Sequence, residues 1–163
     1  MAVKTLTLVR HAKSSWDEPG LADHDRPLND RGRRDAPAMG RLLRARGFTP
    51  DVILSSTAVR ARATAEAIAA ELGYDADVVL MPELYGSSPT TMLTIIGGLD
   101  DELESAMVVA HDPGISELAQ LFSADIDRMP TCAVVQFTFA IDSWRELPGA
   151  RPETVQFDAP RHG

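Results

Sequence analysis

Apolar and β-branched residues gather in five runs, at positions 3–9, 52–54, 78–80, 106–110 and 133–139. The first four are short and nearly continuous, the pattern of strands buried on both faces of a parallel sheet. Between them the apolar period lengthens to that of a helix. Positions 29–46 predict a first helix, in which Pro37 calls for a kink or a late start. Positions 57–72 predict a second, with Ala65, Ile68, Ala69 and Leu72 on one face and Gly73 as its stop. A shorter and weaker helix spans 90–96. The fourth, 113–122, has the cleanest period. Ile115, Leu118, Ala119 and Phe122 recur at helical spacing, Asp112 is placed to cap it, and Pro113 suits its first position.

After position 139 the pattern changes. Positions 144–147 and 154–157 read as short edge strands separated by a turn rich in proline and glycine, and the last six residues read as a tail. Strands alternating with helices predict an α/β fold, a three-layer α/β/α sandwich. Its central sheet is mostly parallel, with edge strands at the C-terminal end. No repeat, low-complexity tract or linker interrupts the chain, so residues 1–163 read as one domain.

Charge narrows the function classes. Sixteen Lys and Arg against 24 Asp and Glu give a net charge of −8. Such a chain is poorly suited to nucleic acid, whose affinity comes largely from phosphate neutralisation, or to an anionic membrane surface. Any anion site must be a local concentration of positive groups. The single cysteine, Cys132, excludes an intrachain disulfide, and no Cys/His spacing suggests structural zinc. Arg10 breaks the N-terminal apolar run too early for a signal peptide, and no segment approaches the ~18 apolar residues of a membrane span. A globular cytoplasmic protein is expected, with no nucleic-acid or membrane partner.

In open α/β sheets, ligands sit beyond the carboxyl ends of the strands. The first run delivers Arg10 and His11 there. The second delivers Ser55 and Ser56, then Arg60 in the first turn of the next helix. The third delivers Glu83, and the fourth His111 just before a helix start. With these strands adjacent and parallel, two histidines, two arginines and a glutamate converge on one edge. Arginine forks and helix N-termini suit phosphate, and a neutral imidazole nitrogen is able to attack phosphorus. Competing motifs are missing: there is no GxxxxGK[ST], GxGxxG or GxSxG. Thr138, not arginine, stands six residues after Cys132, against a cysteine phosphatase. Asp125–Asp127 superficially resembles an aspartyl-phosphate motif, but it follows a helix and Arg128 stands where a small hydroxyl residue is needed.

The segments LVRHAKSSW, RPLNDRG, SSTAVRARATA and VVAHDPGISELA resemble, in order and spacing, the histidine phosphatase superfamily of phosphoglycerate mutases and acid phosphatases. The branch they most resemble is that of the short SixA-type phosphohistidine phosphatases. The resemblance runs from about Thr5 to Phe139 and implies a phosphoglycerate mutase-like fold. By position it makes His11 the nucleophile, with Arg10, Arg60 and His111 on the phosphoryl oxygens. Arg26, in DRPL, becomes an auxiliary phosphate contact, although it is also placed to pair with Asp23 or Asp25. Glu83 matches the proton donor of larger members only loosely, and Ala12 replaces the glycine many members carry after the histidine.

The resemblance implies a two-step transfer through a phosphohistidine, with no metal or cofactor, the positive charge coming from the two arginines and a protonated His111. The second ring nitrogen of His11 is expected to donate to a backbone carbonyl. Imidazole, with a solution pKa of about 6.5, leaves phosphorus with little help, whereas an alkoxide needs an acid. Only about twenty residues separate Glu83 from the fourth strand, too few for a lid. An open pocket favours a phosphorylated protein, a histidine phosphotransfer domain for example, over a small phosphate ester. A small-molecule phosphomonoesterase and a noncatalytic phosphate-binding module stay open as alternatives.

Each residue also has a plainer reading. Singly, His11 or His111 is a structural histidine, Arg60 a surface arginine and Glu83 a solvated loop residue. Ser14 and Lys13 fall at the pocket edge. His24 and His162 have no evident partner and read as exposed. Trp16, Tyr85 and Trp144 read as packing or pocket rim, Cys132 as a small buried residue, and Arg31, Arg33, Arg34, Arg41, Arg44 and Arg46 as a solvated helix face.

Overall fold

A computed structural model describes residues 2–161, so His162 lies outside the described residues. Among the described residues six strands form one sheet: β1 (Lys4–Arg10), β2 (Val52–Ser55), β3 (Val79–Leu80), β4 (Ser105–Ala110), β5 (Val134–Phe139) and β6 (Thr154–Asp158). Their spatial order is β3-β2-β4-β1-β5-β6. β1, β2, β3 and β4 run parallel, while β5 and β6 are antiparallel additions at one edge.

Among the described residues four helices cover the two faces: α1 (Asp30–Ala45), α2 (Val59–Leu72), α3 (Pro89–Gly97) and α4 (Gly114–Phe122). Alternation along the strands sends side chains to two cores. Leu6, Leu8, Leu54 and Val108 join Met92, Ile96, Ile115 and Leu118 on the α3/α4 side. Val9, Ile53, Met107 and Val109 join Met39, Leu43, Ala65 and Ile68 on the α1/α2 side. A three-layer sandwich results. Among the described residues, no helix is long and apolar enough to cross a membrane.

Local chemistry sets the helix ends. Asn29 caps α1 by accepting from the Gly32 amide at 2.9 Å, so the helix starts on time and carries Pro37 inside it. Gly73 ends α2 in the left-handed conformation, φ 68°. Three expectations are corrected. Val79 and Leu80 are partly exposed rather than buried on both faces, because β3 is a two-residue edge strand paired only with β2. Residues 144–147 do not form a strand. Ser143 and Glu146 build a capping box that winds Trp144–Glu146 into a 3-10 turn, with Trp144 fully buried and its indole N–H donating to the Leu103 carbonyl. Asp112 does not cap α4; Pro113 occupies the cap position, and the Asp112 carboxylate accepts from Ser116 and Arg128.

Candidate active site

The register of the parallel strands builds the centre of the site. β1 and β4 pair Arg10 with Ala110, so His11 and His111 stand one residue past that pair on neighbouring strands. The His11 amide donates to the Ala110 carbonyl at 3.1 Å, and the two rings lie 5.1 Å apart at 51°. β2, on the other side of β4, brings Ser56, whose hydroxyl is 2.8 Å from Nε2 of His111. The chain then turns into α2 and places Arg60, buried, in its first turn. Four of the expected residues are thus drawn together by strand-end geometry.

Both histidines are buried and neutral. His11 Nδ1 lies 2.7 Å from the Ala12 carbonyl oxygen. A carbonyl only accepts, so Nδ1 carries the hydrogen and Nε2 keeps its lone pair. Burial, opposed by that hydrogen bond and reinforced by the charges of Arg60, Arg10 and Arg26, lowers the His11 pKa to about 4. Ala12 is itself pinned, its amide donating to Thr64 Oγ1 at 2.9 Å.

His111 departs from expectation. Burial first, then the neighbouring His11 and the charge of Arg60, bring its pKa down to about 3. It is therefore neutral in the free site rather than protonated. Its Nδ1 and the Nε atoms of Arg10 and Arg60 are buried without a hydrogen-bond partner. The two guanidinium Nε–H groups are donors, and the role of His111 Nδ1 follows the tautomer set at Nε2.

Asp23, expected only as a partner of Arg26, also holds Arg60 and Tyr85. Asp23 lies in a 3-10 turn, Asp23–Asp25. Its Oδ2 accepts from Arg60 at 3.0 Å and from the Tyr85 hydroxyl at 2.6 Å, and its Oδ1 accepts from Arg26 Nε at 3.1 Å. The Tyr85 hydroxyl, then Arg60 and Arg26, hold the Asp23 carboxylate well below the ordinary range against a burial penalty. Arg26 is buried and pairs with Asp23, as one of its two readings anticipated. It also donates to Ser14 Oγ at 2.8 Å, and its charge still reaches His11. Ser14 is buried and supports Arg26, and Lys13 is exposed.

Arg10 donates to the Met129 carbonyl at 3.0 Å and lies 3.5 Å from Asp112. Burial works to raise the Asp112 pKa, but Ser116, Arg128 and Arg10 outweigh it and hold the carboxylate below its usual range. Tyr85 stands edge-on to His111 at 5.5 Å and to His24 at 5.0 Å. His24 is not free, since its Nε2 lies 2.8 Å from Thr57 Oγ1. Glu83 behaves otherwise. It is exposed on the 3-10 turn Pro82–Leu84, and no hydrogen bond or ion pair ties it to the cluster. The turn buries Leu84 and hands Tyr85, two residues on, to Asp23. Among the described residues, no group of three or more His, Cys, Asp or Glu is arranged to hold a metal ion.

Comparison with known proteins agrees with this geometry. Residues 6–86 match the sequence profile of the histidine phosphatase superfamily, branch 1. An uncharacterized protein of Mycobacterium tuberculosis is 43% identical over 164 residues, covering 94% of this chain and 100% of that protein. Two solved structures provisionally assigned as phosphohistidine phosphatase SixA superimpose with TM-scores of 0.80. The one from Agrobacterium tumefaciens is 29% identical and covers 96% of this chain and 99% of its own. The one from Nakamurella multipartitia is 28% identical and covers 96% of each.

Proposed function

The chain belongs to branch 1 of the histidine phosphatase superfamily, and from that premise we propose that it removes the phosphoryl group from phosphohistidine on a protein. The observation that carries this reading is the buried, neutral His11 with its hydrogen fixed on Nδ1 by the Ala12 carbonyl. Nε2 is then a nucleophile that needs no base to activate it.

In the first step, Nε2 bonds to phosphorus as the P–N bond to the substrate imidazole breaks. The electron pair leaves with that ring, which departs as neutral imidazole because its other nitrogen already carries a proton taken from water. In the second step, water attacks the phosphohistidine, loses its proton to solvent, and returns neutral His11 and inorganic phosphate. Arg10 and Arg60 bind the phosphoryl oxygens, with Arg26 as an auxiliary charge supported by Ser14. With the Ser56 hydroxyl donating to Nε2 of His111, Nδ1 carries a hydrogen and donates to a phosphoryl oxygen. A phosphoryl dianion beside it favours the protonated ring that the free site disfavours. Catalysis is positioning and charge stabilisation.

The carboxylates favour P–N over P–O cleavage. Asp23 and Asp112 are both held ionised by their partners, and Glu83 is exposed and apart from the cluster. An alkoxide leaving group needs a positioned acid; an imidazole does not. The structural likeness to SixA supports the same substrate class, and a cytoplasmic setting fits a protein whose one cysteine is buried and unpaired.

Rapid quench with a protein carrying 32P-phosphohistidine tests the intermediate. Alkali-stable, acid-labile label is expected on this chain within one turnover and is absent from His11→Ala. Turnover by His11→Ala, or label on another residue, contradicts the reading.

A further inference from the structure

Among the described residues Trp16 is the most exposed large apolar side chain, at 71%. Its ring is not loose. The Arg26 guanidinium carbon lies 3.5 Å from the ring centroid, covering one face. Arg26 is itself fixed without help from the ring, through Asp23, Ser14 Oγ and the Ser15 carbonyl at 3.1, 2.8 and 3.2 Å. The arginine therefore holds the tryptophan, and the second indole face is turned to solvent in one orientation. A large aromatic already fixed in position loses little freedom on binding, and tryptophans of this kind dominate binding energy at interfaces.

Its location ties it to the chemistry. Arg26 faces His11 closely enough for its charge to act on that ring, so Trp16 stands one guanidinium away from the phosphoryl site. From Trp16 a groove of about 620 Å³ leads off between 13–18 and the start of α1, lined among others by Lys13, Ser15, Pro27 and Arg33. Asp17, Glu18 and Asp30 also line it, against Lys13, Arg31 and Arg33. A mixed rim of this kind suits the polar surround of a protein contact, and its three carboxylates balance its three cations, so it offers no net positive charge to an anionic lipid or a polyphosphate.

We infer that Trp16 is a specificity-determining residue whose free face packs against an apolar side chain of the partner protein, next to the phosphorylated histidine. The inference rests on the phosphohistidine reading above. It explains how an open site selects a protein over a small phosphate without a lid.

The test compares wild type, Trp16→Ala and Trp16→Phe on two substrates that each carry a P–N bond. One is a protein carrying phosphohistidine, and the other is the phosphoramidate ion, too small to reach the indole. Trp16→Ala is expected to raise KM for the phosphoprotein at least about tenfold. Trp16→Phe is expected to recover most of that, with kcat/KM for phosphoramidate within about twofold in both. Equal loss on the two substrates would mean that Trp16 acts only through Arg26, and loss on neither would remove it from recognition; either result overturns the inference alone. Wild-type protein inactive on both substrates would overturn the phosphohistidine reading, and the inference with it.

Discussion

Replacing Gly32 with alanine places a methyl carbon 2.2 Å from the carbonyl oxygen of Lys13 and 3.1 Å from its carbonyl carbon. Real contacts of that kind stay beyond 3.0 Å, so backbone must give by at least about 0.8 Å. Neither side yields easily. Gly32 sits in the first turn of α1, its amide bonded to the cap Asn29, and Lys13 O already accepts from the Asn29 amide at 3.0 Å. One peptide upstream of Lys13 is the Ala12 carbonyl that holds His11 Nδ1 at 2.7 Å. A displacement near 1 Å carried to that carbonyl breaks the bond that fixes the tautomer, and errors of about that size at a reacting group cost on the order of a hundredfold in rate. Stability responds much less. Overpacking costs about 1–3 kcal/mol, and alanine returns roughly 1 kcal/mol of helix propensity over glycine. The melting temperature is therefore expected to fall by only a few degrees, at about 2–4 °C per kcal/mol for a chain this long. Steady-state turnover of a phosphohistidine protein, run beside a thermal melt, reads both effects. A Gly32→Ala protein with wild-type kcat and a raised melting temperature would refute the reasoning.

Three other predictions follow from the same geometry. Unfolded, each imidazole titrates near 6.5; folded, His11 titrates at about 4 and His111 at about 3. The unfolded chain therefore binds more protons between those values, and stability falls as pH drops below 6.5, by roughly 3 kcal/mol for His11 over its full range. Melts at pH 7 and pH 5 should show a smaller acid loss for His11→Ala than for wild type; equal losses would contradict the assignment. On the proposed mechanism Asp23 competes with a phosphoryl dianion for Arg26 and Arg60, so Asp23→Asn is expected to tighten inhibition by inorganic phosphate about fivefold to tenfold. Weaker inhibition in a titration would mean that the carboxylate positions the arginines instead. Glu83→Gln should leave kcat on a P–N substrate within about twofold, and a loss of a hundredfold or more would make Glu83 the proton donor.

The sheet and the centre of the site were legible for one physical reason. Arg10, His11 and His111 each stand at the end of a buried apolar run, or directly after one. Arg60 is placed by the helix start that follows the second run, so locating the runs locates the side chains. Asp23 was legible only as a partner of Arg26 and Tyr85 only as packing or rim; the bond between them, that of Asp23 to Arg60, and the partner of His24 were not. These residues lie in a 3-10 turn and at the end of another, without apolar period, and meet Arg60 and His111 only through tertiary packing. The acidic pair flanking His24 beside Arg26 was the available signal. Glu83 and Tyr85 show how fine the margin is: two residues apart on one turn, one faces solvent and the other reaches Asp23. Residues 144–147 carry strand-like side chains, but Ser143 and Glu146 satisfy the local backbone amides and favour a 3-10 turn.

The central claim is a His11 nucleophile acting on a P–N bond. Its most direct test is kcat/KM for a histidine-phosphorylated protein against a panel of small phosphomonoesters, with His11→Ala alongside. A strong preference for the P–N substrate that disappears in His11→Ala is expected. A preference for one phosphomonoester, crippled by Glu83→Gln, would move the protein to the small-molecule phosphatases. No His11-dependent turnover on any substrate would leave a phosphate-binding module and contradict the account.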